Sequence, residues 1–356
     1  MGVSPAGCNR YYASISTGET MPDKTITQEQ LKRAALRHWP ALAKQAGLEE
    51  HLERVEVLHS RHDASSPRIV LKLSGSTGPV ALKCKLEARK QKKFPAEIAA
   101  NRRAAEKMAD NSDYRVPHIL AVQDGAVLLE YAEASNVYHL IRQKPRAEHL
   151  PIIERAGAWL DQFHRTGAIE ERVFRTKFFI NNIKDLVSLT SEGLSSIPMP
   201  EQFLNIARKH IRQGRQMDEV DCLTGELHGD FHLRNLLIGN AVWGVDLLPV
   251  NAGPFERDIA LFLVRYGALS ASYDEIPDGA AVPADITEAF FSGYRLTLPD
   301  SPVLAFFLRH RALMDWAKLV SSGDKSKMAS DPVLSLTQIE RLSGLRAMAA
   351  RLFAKA

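Results

Sequence analysis

His228-Gly229-Asp230-Phe231-His232-Leu233-Arg234-Asn235 is the stretch that decides how this chain reads, together with Asp246 eleven residues after Asn235. A carboxylate and a carboxamide stand five residues apart. A second carboxylate then closes an apolar run, Trp243-Gly244-Val245-Asp246. Asn and Asp side chains offer oxygen ligands, which suit a hard cation such as Mg²⁺. Further on come Gly253-Pro254 and, four residues later, Asp258-Ile259-Ala260. His-Gly-Asp alone is a common polar turn. A coincidence of the whole string, with two apolar strands and a second Asp at the right place, is much harder to reach by chance.

An Asp and an Asn at this spacing, followed by an Asp on the next strand, make up the working core of a kinase active site. The string resembles the aminoglycoside phosphotransferase and choline kinase family of small-molecule kinases. It resembles protein kinases less: Gly229 stands where they carry Arg, no Phe-Gly follows Asp246, and no Ala-Pro-Glu comes later. The resemblance covers about residues 50–320. It implies an α+β, protein-kinase-like fold of two lobes, a small antiparallel β lobe with one helix and a larger helical lobe. It also implies ATP and Mg²⁺ as cofactors. Asp230 is then the general base on the acceptor hydroxyl, Asn235 and Asp246 are the metal ligands, and His228 and Asp258 support the catalytic loop.

Val80-Ala81-Leu82-Lys83 is similar to the Val-Ala-Ile-Lys strand that anchors ATP phosphates in kinases. Side chains alternate along a strand, so Lys85 points to the same face and alternation alone does not separate the two. The motif match selects Lys83, and Glu97, fourteen residues on, is its expected ion-pair partner. Leu129-Glu130-Tyr131-Ala132 reads as the hinge, where backbone groups of Glu130, Tyr131 and Ala132 would meet the adenine. Leu160-Asp161-Gln162-Phe163-His164 is similar to the helix end that the family packs beneath its catalytic loop, with His164 a buried structural contact. One departure is plain. The stretch at 60–67, expected to cover the phosphates, contains no Gly; Ser65 and Ser66 would have to supply donors instead.

Patterning agrees with two lobes. Residues 1–24 are polar and read as a mobile tail, and 25–131 as the nucleotide-binding lobe with a leading helix. Thr27-Gln28-Glu29-Gln30 is a capping box opening a helix to about residue 46. Strands are expected at 54–59, 68–73 and 79–85, a helix at 95–108, and a hairpin turning at Asp124-Gly125. From 132 to 356 the period becomes helical, with helices at 150–165, 176–190, 201–214, 258–268, 284–296, 302–320 and 334–354. In that half strands are expected only at 236–239 and 242–246.

The chain has 356 residues, of which 45% are hydrophobic and 25% charged, ordinary for a globular protein. A net charge of +4 makes no case for nucleic acid or a membrane as partner. Three cysteines, Cys8, Cys84 and Cys222, are too few and scattered for a disulfide framework or a zinc site, and a reducing, cytoplasmic setting is expected. The first residues carry no apolar core of signal-peptide length, Ala6 breaks a myristoylation motif, and no run suits a transmembrane helix. Residues 168–220 mix Arg and Lys with Asp and Glu, which does not favour a polycationic aminoglycoside. The expected partner is a small hydroxyl acceptor: a sugar, an amino alcohol or an amino-acid-like metabolite. A non-catalytic nucleotide-binding scaffold and a protein kinase are the alternatives.

Overall fold

The computed structural model describes residues 26–62, 67–86, 94–215, 217, 220–270, 273–319 and 336–354, with side chains at 336–341 excepted. The expected tail at 1–24, and Ser65 and Ser66, lie outside them. Elements are numbered in chain order. Helix α1 (Gln28–Leu36) opens with the capping box: Thr27 Oγ1 accepts from the Gln30 amide and Gln30 Oε1 from the Thr27 amide, at 3.2 and 2.8 Å. The helix expected to run unbroken to about residue 46 is two helices. α2 (Trp39–Ala46) starts afresh because Pro40 has no N–H and its ring crowds the carbonyl four residues back.

Strands β1 (Arg54–Arg61), β2 (Arg68–Gly75) and β3 (Gly78–Lys85) lead to helix α3 (Phe94–Lys107). The short β4 (Tyr114–Arg115) follows, then β5 (Ile119–Gln123) and β6 (Ala126–Glu130). Five of these strands form an antiparallel sheet in the order β1-β2-β3-β6-β5. The β5–β6 turn lies at Asp124-Gly125, with Gly125 at φ 74° where a Cβ would be strained. Alternation gives the sheet two unlike faces. Ile69, Leu71, Leu73, Val80, Leu82 and Cys84 are buried beneath Leu31, Trp39 and Leu42 of α1 and α2. The opposite face carries Arg68, Lys83, Lys85, Val127 and Leu129, and there Phe94 and Ile98 of α3 pack on Val127, Ile119 and Leu129.

The second lobe begins with β7 (Ala134–Asn136), α4 (Val137–Gln143) and α5 (His149–Arg165). It continues through β8 (Glu170–Val173), α6 (Lys177–Ser191), α7 (Pro200–Gly214) and β9 (Asp221–Gly225). Then come β10 (Leu236–Gly239), β11 (Val242–Gly244), β12 (Gly253–Pro254), α8 (Glu256–Ser270), α9 (Ala284–Gly293), α10 (Pro302–Ala317) and α11 (Leu336–Leu352). Its core is aromatic, with Trp159, Phe231, Phe262, Phe290, Phe306 and Trp316 all fully buried. Two small sheets lie within it, β4-β11-β10-β7 and β12-β9-β8. β7 in the first sheet, and the whole second sheet, correct the expectation that strands in this half lie only at 236–239 and 242–246. β8 escaped notice because Glu170, Glu171, Arg172 and Val173 are all exposed, so its sequence carries no apolar alternation. Among the described residues no helix is long and apolar enough to cross a membrane.

Candidate functional site

The loop at 228–235 is held from below. Gly229 sits at φ 79°, and a Cβ there would come within 2.9 Å of Val250 Cγ1, so both backbone and space call for glycine. Asp258, in the first turn of α8, accepts the backbone N–H groups of His228 at 2.7 Å and Gly229 at 3.1 Å. His164 Nε2 lies 3.3 Å from the same carboxylate, and His164 Nδ1 is 2.9 Å from the Tyr294 hydroxyl. Burial pushes the Asp258 carboxyl up, but the His164 hydrogen bond and charge, with His228, bring it below its ordinary value. His164 is fully buried and stacked on Phe255, a structural position. Phe231 anchors the loop between Trp159 and Phe262, with ring centroids 5.7 and 5.2 Å away.

His228 is buried, and burial lowers its basicity; its neutral Nδ1 accepts the Asp230 N–H at 3.3 Å. Asn235 Nδ2 donates to the Asp230 carbonyl at 3.0 Å and to Asp230 Oδ2 at 3.1 Å. His232 Nε2 is 3.5 Å from that oxygen. Burial raises the Asp230 carboxyl, and the hydrogen bond and charge of His232, followed by His228 and Arg311, pull it net below its ordinary value. Asp230 is therefore a carboxylate at neutral pH, held at one oxygen by the amide of Asn235.

Asp246 follows β11 with φ 62°, a left-handed conformation that is strained for a residue with a Cβ. Two backbone hydrogen bonds fasten its segment to the loop, Val245 N–H to the Asn235 carbonyl and Leu248 N–H to the His228 carbonyl, each 2.9 Å. Its carboxylate accepts the Lys83 ammonium. Burial raises the carboxyl, but Lys83, Arg68 and Lys85 hold it down at about 2. Both hydrogens of the Asn235 amide are spent on Asp230, which leaves Asn235 Oδ1 as an acceptor. That oxygen and the Asp246 carboxylate are each of the kind a hard cation takes as ligand. Among the described residues no group of three His, Cys, Asp or Glu side chains converges on a metal position.

The expected Lys83–Glu97 pair is corrected. Glu97 accepts from Lys85, and Lys83 reaches across the cleft to Asp246 instead. Both lysines share a sheet face, and Glu97 stands in the first turn of α3, beside the end of β3 where Lys85 sits. Arg68, opposite Lys85 in the β2–β3 register, joins them, a residue that sequence reading missed although alternation along β2 would have placed it on this face. Asp230, Asp246, Lys83, Lys85, Glu97 and Arg68 line one open cleft. Its apolar wall includes Val127 and Leu129, and the chain runs on from there into Glu130, Tyr131 and Ala132. The Glu130 carboxylate turns to Arg115 at 3.1 Å, Lys72 Nζ lies 4.4 Å above the Tyr131 ring, and Ala132 is buried. The basicity of His59, on β1, is lowered by partial burial first and then by the charges of Arg68 and Arg234.

The sequence matches no protein-family model and no curated protein. Solved structures do resemble the fold. A spectinomycin phosphotransferase bound to ADP and spectinomycin aligns with TM-score 0.56 at 13% identity, over 89% of this chain and 97% of its own. A macrolide 2'-phosphotransferase from Brachybacterium faecium aligns with TM-score 0.52 at 13% identity, over 88% and 97%. An ethanolamine kinase from Plasmodium vivax aligns with TM-score 0.50 at 12% identity, over 90% and 89%. The likeness establishes the protein-kinase-like α+β fold that these small-molecule kinases share.

Proposed function

We propose that this chain is an ATP-dependent phosphotransferase that moves the γ-phosphoryl group of ATP to a hydroxyl of a small molecule. The observation that carries this reading is the meeting of Asp230 and Asp246 in one cleft, beneath a sheet face bearing Arg68, Lys83 and Lys85. Phosphoryl transfer depends on placing the nucleophile in line and on neutralising phosphate charge. The lysines and Arg68 supply positive charge for the phosphates. Asp230, ionised and oriented by Asn235, would accept the proton of the attacking hydroxyl. Mg²⁺, held by Asp246 and Asn235 Oδ1, would supply further charge neutralisation when bound. Glu130, Tyr131 and Ala132 are the backbone positions proposed for adenine.

The known acceptors of the similar folds are as unlike as spectinomycin and ethanolamine, so the acceptor is argued from this chain alone. A sugar, an amino alcohol or an amino-acid-like metabolite fits the mixed charge of residues 168–220 better than a polycation does. A nucleotide-binding scaffold is favoured by the absence of Gly from residues 60–67. The deciding experiment measures ADP release by purified protein over a panel of hydroxyl compounds, with Asp230→Ala as control. Acceptor-dependent release that Asp230→Ala abolishes supports the enzyme; Mg-ATP binding without release over the whole panel supports the scaffold.

A further inference from the structure

Arg68 opens β2, directly after the stretch 60–67 that carries no Gly. It lines the cleft together with Lys83, Lys85, Asp230 and Asp246. Strand register fixes its neighbours. Arg68 lies directly opposite Lys85, and Val70 directly opposite Lys83. Arg68 is therefore roughly 5 Å from Lys85 and, on the diagonal, roughly 7 Å from Lys83 in Cβ separation.

Each of these lysines has a carboxylate: Lys85 holds Glu97 and Lys83 holds Asp246. The Arg68 side chain has neither an ion pair nor a hydrogen bond among the described residues, and its Nε is buried from water without an acceptor. A buried N–H left unpaired is costly, and a like charge directly across the ladder adds to the cost. An anion in the cleft would supply both the missing acceptor and the opposite charge.

Position along the sheet selects the anion. Val80 lies opposite Glu130, the first of the backbone positions proposed for adenine. At about 3.3 Å per residue, the Lys83 row lies about 10 Å from that end and the row of Lys85 and Arg68 about 17 Å. A nucleotide laid along the sheet from Glu130 meets Lys83 first and Arg68 last. Its last group is the terminal phosphate, which offers three free oxygens where an inner phosphate offers two. The planar guanidinium fork matches two such oxygens at once.

We infer that Arg68 holds the γ-phosphoryl group of the nucleotide, its side chain taking the place of the glycine-rich loop that covers the phosphates in protein kinases. Arg68 is then the residue that tells a triphosphate from a diphosphate. This rests on the phosphotransferase reading above.

The test is calorimetric titration of adenosine 5'-(β,γ-imido)triphosphate and of ADP, both with Mg²⁺, into the wild type, Arg68→Met and Arg68→Lys. The wild type should bind the triphosphate at least about tenfold more tightly than ADP. Arg68→Met should weaken the triphosphate by roughly 10- to 100-fold, the loss expected for one charge-assisted contact, and ADP by less than about threefold. Arg68→Lys keeps the charge without the fork and should recover part of that loss. Methionine keeps an apolar stem and removes an unpaired cation, so the Tm of ligand-free Arg68→Met should be no lower than that of the wild type. Equal losses for both nucleotides, an unchanged triphosphate affinity or a lowered Tm would each overturn the inference. Selective loss of the triphosphate, with no ADP release from ATP on any acceptor of the panel, keeps the γ-phosphate contact and removes the phosphotransferase reading. Acceptor-dependent release with an unchanged triphosphate affinity in Arg68→Met does the reverse. A wild type that binds neither nucleotide removes both.

Discussion

Glu97 is bonded by Lys85, while Lys83, two residues earlier on the same strand face, is bonded to Asp246. Two lysines thus divide two tasks: one ties α3 to the sheet, the other spans the cleft to the proposed metal ligand. The Lys85 and Glu97 side chains are only 15% and 18% exposed, so the pair is shielded from solvent screening.

A double-mutant cycle separates the two lysines. Lys85→Ala and Glu97→Ala should couple by about 1–3 kcal/mol in unfolding free energy, the range for contacting residues, whereas Lys83→Ala and Glu97→Ala should add. Denaturant titration measures both cycles. Strong coupling of Lys83 with Glu97 would mean that another pairing prevails in solution.

Asp230 and Asp246 should fail in different ways. Asp230→Asn is expected to keep Mg-ATP affinity and to lower turnover by roughly 10²- to 10⁴-fold, the usual effect of losing a positioned general base. Asp246→Asn is expected to weaken Mg-dependent nucleotide binding itself. Calorimetric titration of Mg-ATP into both variants reads the difference. Undiminished affinity in Asp246→Asn would sink the metal assignment.

Asp258 should matter for stability as well as activity. Asp258→Asn leaves the loop amides and His164 short of a buried ionised partner, at a cost of about 2–4 kcal/mol. The folded carboxyl ionises below its ordinary value of 3.8. Its stabilisation is therefore full above that pH and is lost as pH falls through the lower folded value. Acid unfolding of the wild type should be correspondingly steeper than that of Asp258→Asn. Identical acid midpoints and slopes would count against the carboxylate as the loop's anchor.

Glu256 predicts the opposite sign. It is 2% exposed and burial raises its carboxyl above the ordinary 4.5, with Ser301 donating to one oxygen at 3.2 Å. The unfolded chain ionises first, so stability falls as pH rises above about 4.5. Glu256→Gln keeps an acceptor for Ser301 and removes the buried charge. Its Tm should exceed that of the wild type at pH 8, and the gap should close below about pH 4. A Tm below wild type at pH 8 would show that the charge is better accommodated than its burial implies.

Much of this protein was readable without a structure, because the relevant physics is local. The His228-to-Asn235 spacing and the apolar run that leads to Asp246 are short-range patterns, as are the capping box at Thr27 and the turn at Asp124-Gly125. Helical period and strand alternation outlined both lobes, and the helix forecast at 95–108 differs from α3 by one residue at each end. Two expectations failed: Pro40, itself a local breaker, splits a helix expected to be continuous, and the exposed β8 has no alternation to show. Alternation also put Lys83 and Lys85 on one face, but it could not choose between them. That choice depends on where α3 docks, which is set by Phe94 and Ile98 packing against Val127, Ile119 and Leu129. In the same way, nothing in the spacing of Arg265, Arg311 and Asp315 announces that they meet. Only the packing of α8 against α10 brings these charges together, because burial of apolar faces, not the charges themselves, decides which distant side chains meet.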